Sequence, residues 1–245
     1  MTATSLAHKL SVQFPYVHAS YEKRRNFLRF LIRYIGFTVL VRLGSVQGLE
    51  NVPRSGPAIL MINHIAFADP FVVLHACSRN IVPLAKVESF DYPLVGIFPR
   101  IWGVIPVRRE EFDRRAIQGA LEVLAAGEMI LVAPEAHRNP FLQQGKEGVA
   151  YLAARSGAPV VPVALDNTPG FPSLPFLPRW RGPRVQVQFG RPFRYRSDLG
   201  RPDRLQLRQM TDEAMYALAA MLPEPRRGCY ADLTQATQET IEWLD

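Results

Sequence analysis

Between Ala58 and Phe189 short apolar runs alternate with longer stretches of mixed polarity, and this alternation constrains the fold more than any other property of the chain. The runs Ala58–Asn63, Ile81–Lys86, Val104–Val107, Met129–Ala133, Val160–Leu165 and Arg184–Phe189 are four to six residues long, and several of them are continuously apolar. Such runs suit strands covered on both faces, because a half-exposed strand would alternate apolar with polar residues. The stretches Asp69–Cys77, Glu110–Ala126, Lys146–Ser156 and Asp203–Met221 predict helices. The second opens on Glu110, Glu111 and Asp113, which favour a helix N-terminus, and Gly127 follows as a stop. Leu205, Met210, Met215, Leu218 and Met221 supply an apolar stripe for the last. The order predicts an α/β fold, a single domain with a largely parallel mixed sheet flanked by helices. At 245 residues, 48% apolar and 21% charged, the chain can bury such a core, and a disordered or fibrous chain is excluded.

Ahead of that body, Tyr21–Gly44 reads YEKRRNFLRFLIRYIGFTVLVRLG. Leu28, Leu31, Ile32, Ile35 and Val39 recur at helical spacing as one apolar face, and Arg25, Arg29 and Arg33 stack four apart as a basic stripe. The longest uncharged run, Tyr34–Val41, has eight residues, far short of the roughly 20 that cross a bilayer. A basic amphipathic helix lying among lipid headgroups fits this segment, and so does an ordinary surface helix with solvated Arg residues.

Charge is spread unevenly. Residues 1–50 carry seven basic and two acidic side chains, 51–170 eleven of each, 171–209 nine and two, and 210–245 two and seven, giving the net +7. The positive excess therefore flanks a neutral centre. In its second block Phe171, Leu174, Phe176, Leu177 and Trp180 are interleaved with Pro, Arg179, Arg181 and Arg184. That composition suits a bilayer interface or a Pro-rich loop at the domain edge. These features divide the chain into an N-terminal membrane-associating segment (1–48), a central domain (49–222) and an acidic tail helix (223–245). Cys77 and Cys229 have no metal-ligand spacing, and a reducing compartment is the simpler expectation.

The residues able to do chemistry gather at strand ends. In INHIAFADP (62–70) a strand ends at Asn63, His64 follows, and Asp69-Pro70 predicts a helix start with Asp69 as N-cap. His64 and Asp69 then face each other across a short loop at a strand's carboxyl end, where open α/β sheets place ligands. A carboxylate on Nδ1 would fix the imidazole tautomer and leave Nε2 as a general base. With no G-x-S-x-G elbow, such a base would activate a hydroxyl of the substrate. A helix cap and a satisfied buried imidazole are the plainer alternatives. Lys86, Arg108-Arg109, and Glu135 with Arg138 of PEAHR (134–138) also end strands, and Lys146 follows in QQGKEG. Arg or Lys at a strand end can hold a phosphate.

In order and spacing, His64-x4-Asp69, GVIPVRR (103–109), PEAHR (134–138) and Val161-Pro162-Val163 resemble the glycerolipid acyltransferases, over roughly Leu49–Leu165. The resemblance implies the glycerol-3-phosphate acyltransferase-like fold, with 49–222 as its acyltransferase domain. It implies His64 as the base that deprotonates the acceptor hydroxyl and Asp69 as its orienting partner. Arg109, Glu135 and Arg138 fall on that family's conserved blocks. Lys86 and Arg138 match positions associated with the acceptor phosphate, and Lys146 matches a Lys-x-Gly that follows. The pattern's Gly and Thr are replaced by Ala136 and His137, and its frequent Ser by Ala66.

The expected activity is transfer of a fatty acyl group from acyl-CoA or acyl-carrier protein to 1-acyl-glycerol-3-phosphate, in phospholipid biosynthesis, with the thioester as co-substrate and no cofactor. The implied partners are a membrane lipid acceptor, the thioester donor and an anionic membrane surface, at the cytoplasmic face. The change at 136–137 leaves open another lysolipid or lipid-like alcohol as acceptor. A basic module binding nucleic acid or membrane without turnover is a different class, and pI ≈ 9.7 allows it. The neutral centre argues against nucleic acid. A metal hydrolase lacks support, because the five His residues show no paired spacing.

Overall fold

A computed structural model describes residues 16–32, 43–93, 96–108, 113–168 and 184–245. Nine strands among these form one sheet, named in chain order β1 (Leu43–Gln47), β2 (Ala58–Ile62), β3 (Ile81–Lys86), β4 (Ile105–Val107), β5 (Met129–Val132), β6 (Val160–Asp166), β7 (Val185–Phe189), β8 (Phe193–Tyr195) and β9 (Ile241–Trp243). The main path runs β1-β7-β6-β2-β5-β3-β4, while β8 joins β6 and β9 joins β8. From β6 through β2, β5 and β3 to β4 every pairing is parallel, and β7 turns antiparallel on β6. The expected largely parallel mixed sheet is the one observed.

Among the described residues six α-helices accompany the strands: α1 (Glu22–Leu31), α2 (Asp69–Ala76), α3 (Ile97–Trp102), α4 (Arg114–Ala125), α5 (Gly148–Ser156) and α6 (Arg204–Ala219). Strand β2 shows why the apolar runs are continuous, since all five residues are buried. Ile59 and Met61 enter the core beneath α4, α5 and α6, whereas Ala58, Leu60 and Ile62 enter the core beneath α2 and α3. A strand has a period of two, so only a sheet covered on both sides buries every residue. Truncating Leu60 to Ala would remove about 2–5 kcal/mol of packing. The helices start where their polar residues dictate. Asp113 accepts from the N–H groups of Arg115 and Ala116, both at 3.1 Å, and Asp203 forms a capping box with Gln206.

Several expectations are corrected. The tail 223–245 is not a helix: it makes 3-10 turns at Glu224–Arg226, Gly228–Tyr230 and Leu233–Gln235, then adds β9 to the sheet. Pro223 keeps α6 from running on into the tail, and buried Glu213 of α6 accepts from the N–H and hydroxyl of Thr240, holding the tail extended. The 1–48 segment does not end outside the fold either, because β1 pairs with β7. Helix α4 begins at Arg114, and residues 109–112 lie outside the described ones. The aromatic and Arg block at 171–183 is outside them too.

Helix α1 faces differently from its expected stripe. Arg25 is fully buried and donates to the carbonyls of Trp102 (2.6 Å) and Gly103 (3.2 Å), to the hydroxyl of Tyr16, and to Nδ1 of His18 (2.9 Å). Leu28 and Ile32 pack inward, while Phe27 (63% exposed) and Phe30 (57%) face outward with Lys23 and Arg24. Gly103 (φ 72°) ends α3 where a Cβ would strike the Tyr21 ring, so only glycine lets α1 approach this closely.

Candidate active site

The parallel run of strands brings the carboxyl ends of β2, β3, β4 and β5 to one edge, and the chemistry-bearing loops follow from there. Asn63 braces the end of β2 by exchanging two hydrogen bonds with the backbone of Leu165 in β6 (2.9 and 2.8 Å). His64 comes next, and its backbone is fixed from both sides. Its N–H donates to Glu135 Oε1 (3.1 Å), and its carbonyl accepts from the Asn139 N–H (2.8 Å).

The His64 ring meets Asp69 through Nδ1···Oδ2 at 2.8 Å. The same oxygen accepts from the N–H groups of Ile65 (2.7 Å) and Ala66 (2.8 Å). Asp69 is therefore not the N-cap of α2. Ala68 occupies the cap, and the carboxylate at the first helical position turns back to close the loop around His64. Three donors converge on one fully buried oxygen, so the imidazole is held in one orientation. With Nδ1 engaged, Nε2 is the nitrogen left for a substrate, and the half-buried ring lines a cavity of about 860 Å³.

Glu135 is placed otherwise than the sequence implied. It is buried and absent from the cavity wall; its two carboxylate oxygens accept the N–H groups of His64 and Gln143 (2.9 Å). It ties the β5 loop to the β2 loop and fixes the backbone of His64. Burial pushes its carboxyl up to about 7, against the two N–H donors that pull it down. Next to it Ala136 has φ 61°, in the left-handed region where the family pattern has glycine.

Lys86, Arg138 and Lys146 all line the cavity. The Lys86 ammonium lies 5.5 Å above the Tyr92 ring, and the Lys146 N–H donates to the Pro134 carbonyl (2.9 Å), which sets its loop. Arg109 falls outside the described residues, and its neighbour Arg108 is on the cavity wall. The structure thus brings His64, Lys86, Arg138 and Lys146 around one space, backs His64 with Asp69 and Glu135, and says nothing of Arg109. Sequence reading missed Phe71 of α2, Phe98 of α3, and Arg204 with Leu207 of α6, all on the same wall. The signal for Leu207 was present: 207, 210, 214 and 218 share a helical face, whereas Leu205 is 80% exposed on the opposite side.

A carboxylate-oriented imidazole beside a cavity lined by apolar side chains and several Lys and Arg residues has the features of an active site. Residues 45–166 match the Acyltransferase family. A 1-acyl-sn-glycerol-3-phosphate acyltransferase of Borreliella burgdorferi is 34% identical over 130 residues, covering 51% of this chain and 52% of that protein. A chloroplastic one of Arabidopsis thaliana is 28% identical over 178 residues, covering 69% and 49%. The chain spans about half the length of these curated relatives. Among solved structures, the 1-acyl-sn-glycerophosphate acyltransferase PlsC of Thermotoga maritima superposes with a TM-score of 0.54 at 25% identity, over 78% of each chain. The chain carries an Acyltransferase domain over residues 45–166, similar to that of the glycerolipid acyltransferases.

Proposed function

We propose that this protein transfers a fatty acyl group from a thioester to the free hydroxyl of 1-acyl-glycerol-3-phosphate. The observation that carries the reading is the His64–Asp69 pair at 2.8 Å beside a largely apolar cavity that Lys86, Arg138 and Lys146 also line. Nε2 of His64 takes the hydroxyl proton while Asp69 stabilises the imidazolium that forms. The acceptor oxygen attacks the thioester carbonyl, and the tetrahedral intermediate collapses with loss of the thiolate. That thiolate recovers the proton from Nε2, so the ester and the free thiol leave with the enzyme unchanged. Lys86, Arg138 and Lys146 supply cations for the acceptor phosphate. The start of α2 offers the oxyanion few donors: the Ile65 and Ala66 N–H groups serve Asp69, that of Asp69 bonds the Ala66 carbonyl, and Pro70 has none.

Exposed Phe27 and Phe30 beside Lys23 and Arg24 favour docking on an anionic bilayer surface, from which the acceptor would come. Among the described residues no helix is long and apolar enough to cross a membrane. The test is an assay of purified protein with lysophosphatidic acid and either acyl-CoA or acyl-carrier donors. His64→Ala is expected to lower turnover by about 10³-fold with the thermal midpoint and vesicle binding retained. Near-normal turnover in that variant would remove the mechanism.

A further inference from the structure

The cavity is not confined to one side of the sheet. Leu131 and Val132 are consecutive in β5 and so point to opposite faces, yet both line it. Pro83, Leu84 and Ala85 of β3 do the same. The wall divides accordingly. Phe71 and Phe98 belong with the core beneath α2 and α3, and the Phe67 ring lies tilted against Phe71 with centroids 5.7 Å apart. Ile117 and Leu152 belong with the core beneath α4, α5 and α6, where Leu207 closes the wall. The space therefore borders both faces of the sheet at its carboxyl edge, an apolar arm of its lining on each side, and His64 and Lys86 lie where β2 and β3 end.

Acyl transfer between a thioester and a lysolipid brings two long chains to one reacting centre. Resting on the transferase reading above, we propose that the arms receive these chains separately. The arm of Phe67, Phe71 and Phe98 takes the chain the acceptor already carries. The arm of Ile117, Leu152 and Leu207 takes the acyl chain of the donor.

The surroundings of each arm set this assignment. Helix α3 packs on α1, whose Leu28 and Ile32 lie on the same face of the sheet as Phe71 and Phe98. Phe27 and Phe30 of α1 and Ile97 of α3 (45% exposed) make the adjoining surface apolar, so a lipid acceptor reaches the aromatic arm first. The other arm is bordered by Arg108 and Arg204. Those cations suit the phosphate of the pantetheine arm, which coenzyme A and acyl-carrier protein share. Leu207 and Arg204 lie beyond the family-matched segment 45–166, so this arm is built partly from sequence particular to the C-terminal part of the chain.

The experiment measures equilibrium binding of two unreactive probes in detergent micelles: a palmityl thioether of phosphopantetheine, and lysophosphatidic acid. The unaltered protein is expected to hold one of each at once. Leu207→Phe, which narrows one arm, is expected to weaken the thioether about tenfold and leave the lysolipid within about twofold. Phe71→Leu is expected to do the reverse. Should Leu207→Phe fail to fold, Ile117→Phe on α4 obstructs the same arm and carries the same expectation. Competition between the probes, a shift of both by one variant, or the opposite pairing overturns the two-arm assignment while the transferase reading stands. If the unaltered protein binds neither probe, the transferase reading falls and takes the assignment with it.

Discussion

His64 and His18 each engage a charged side chain through Nδ1, at 2.8 Å from Asp69 and 2.9 Å from Arg25. The partner's sign separates them. Asp69 accepts the Nδ1 proton and stabilises positive charge on the ring, which is what a general base needs as it takes a second proton. Arg25 donates to Nδ1 and opposes such charge. Burial, reinforced by that guanidinium, holds His18 down to about 4, so it stays neutral at physiological pH. One cluster faces a cavity; the other closes the joint between α1 and the start of β4. The same residue type is set for proton transfer in the proposed reaction at one place and for packing at the other.

The largest expected effect breaks the contrast at its functional end. Asp69→Asn keeps the side chain's shape but no longer fixes the tautomer or compensates the imidazolium. Turnover should fall by about 10³-fold with little change in the thermal midpoint. Arg25→Leu probes the other end. It leaves the Trp102 carbonyl and the Tyr16 hydroxyl without the Arg25 donor, while the Gly103 carbonyl keeps the Tyr16 hydroxyl, a loss of about 3–5 kcal/mol. At about 2–4 °C per kcal/mol the midpoint should drop by about 10 °C, with turnover per folded molecule largely kept. If Arg25→Leu instead stops turnover at an unchanged midpoint, the N-terminal cluster belongs to the chemistry and the comparison fails.

The two regions also differed in how far the sequence disclosed them. His64 and Asp69 are five residues apart, so their contact is written in local spacing, as is the double-sided burial of β2, β5 and β6. Arg25 reads as one rung of a solvated stripe because its acceptors lie 77 and 78 residues away, and no periodicity reports a contact of that range. Glu135 was legible as a strand-end acid, but its role as a tie depends on the backbone of His64, 71 residues earlier. Short α3 carries Pro99 and only six residues, too few for a helical period to show. The tail was misread for a related reason: its acidic composition suits a helix, and the decisive contact, Glu213 to Thr240, is tertiary.

Glu135 offers a smaller effect between the two clusters. Its folded carboxyl value, about 7, lies above the ordinary 4.5, so the folded state binds more protons within that window. Its contribution is therefore greatest below about pH 4.5 and is lost as pH rises through 7, by on the order of 3 kcal/mol. Glu135→Gln should flatten the dependence of the thermal midpoint on pH across this range. An unchanged slope would mean that other groups set it.

The smallest effect lies one residue further on, at Ala136. An alanine at φ 61° carries roughly 1–2 kcal/mol of steric strain, because its Cβ crowds the backbone in the left-handed region. Glycine would relieve that strain and would forfeit about 0.4–1 kcal/mol by loosening the unfolded chain. Ala136→Gly should then gain about 0.5–1 kcal/mol, a rise in midpoint of about 2 °C. The Ala136 N–H already bonds the Ala133 carbonyl at 3.1 Å, so the turn itself should survive the change. A fall in the midpoint would show that contacts of the Ala136 methyl in the cavity wall outweigh the strain. The strained residue would then be stabilising the loop that positions His64.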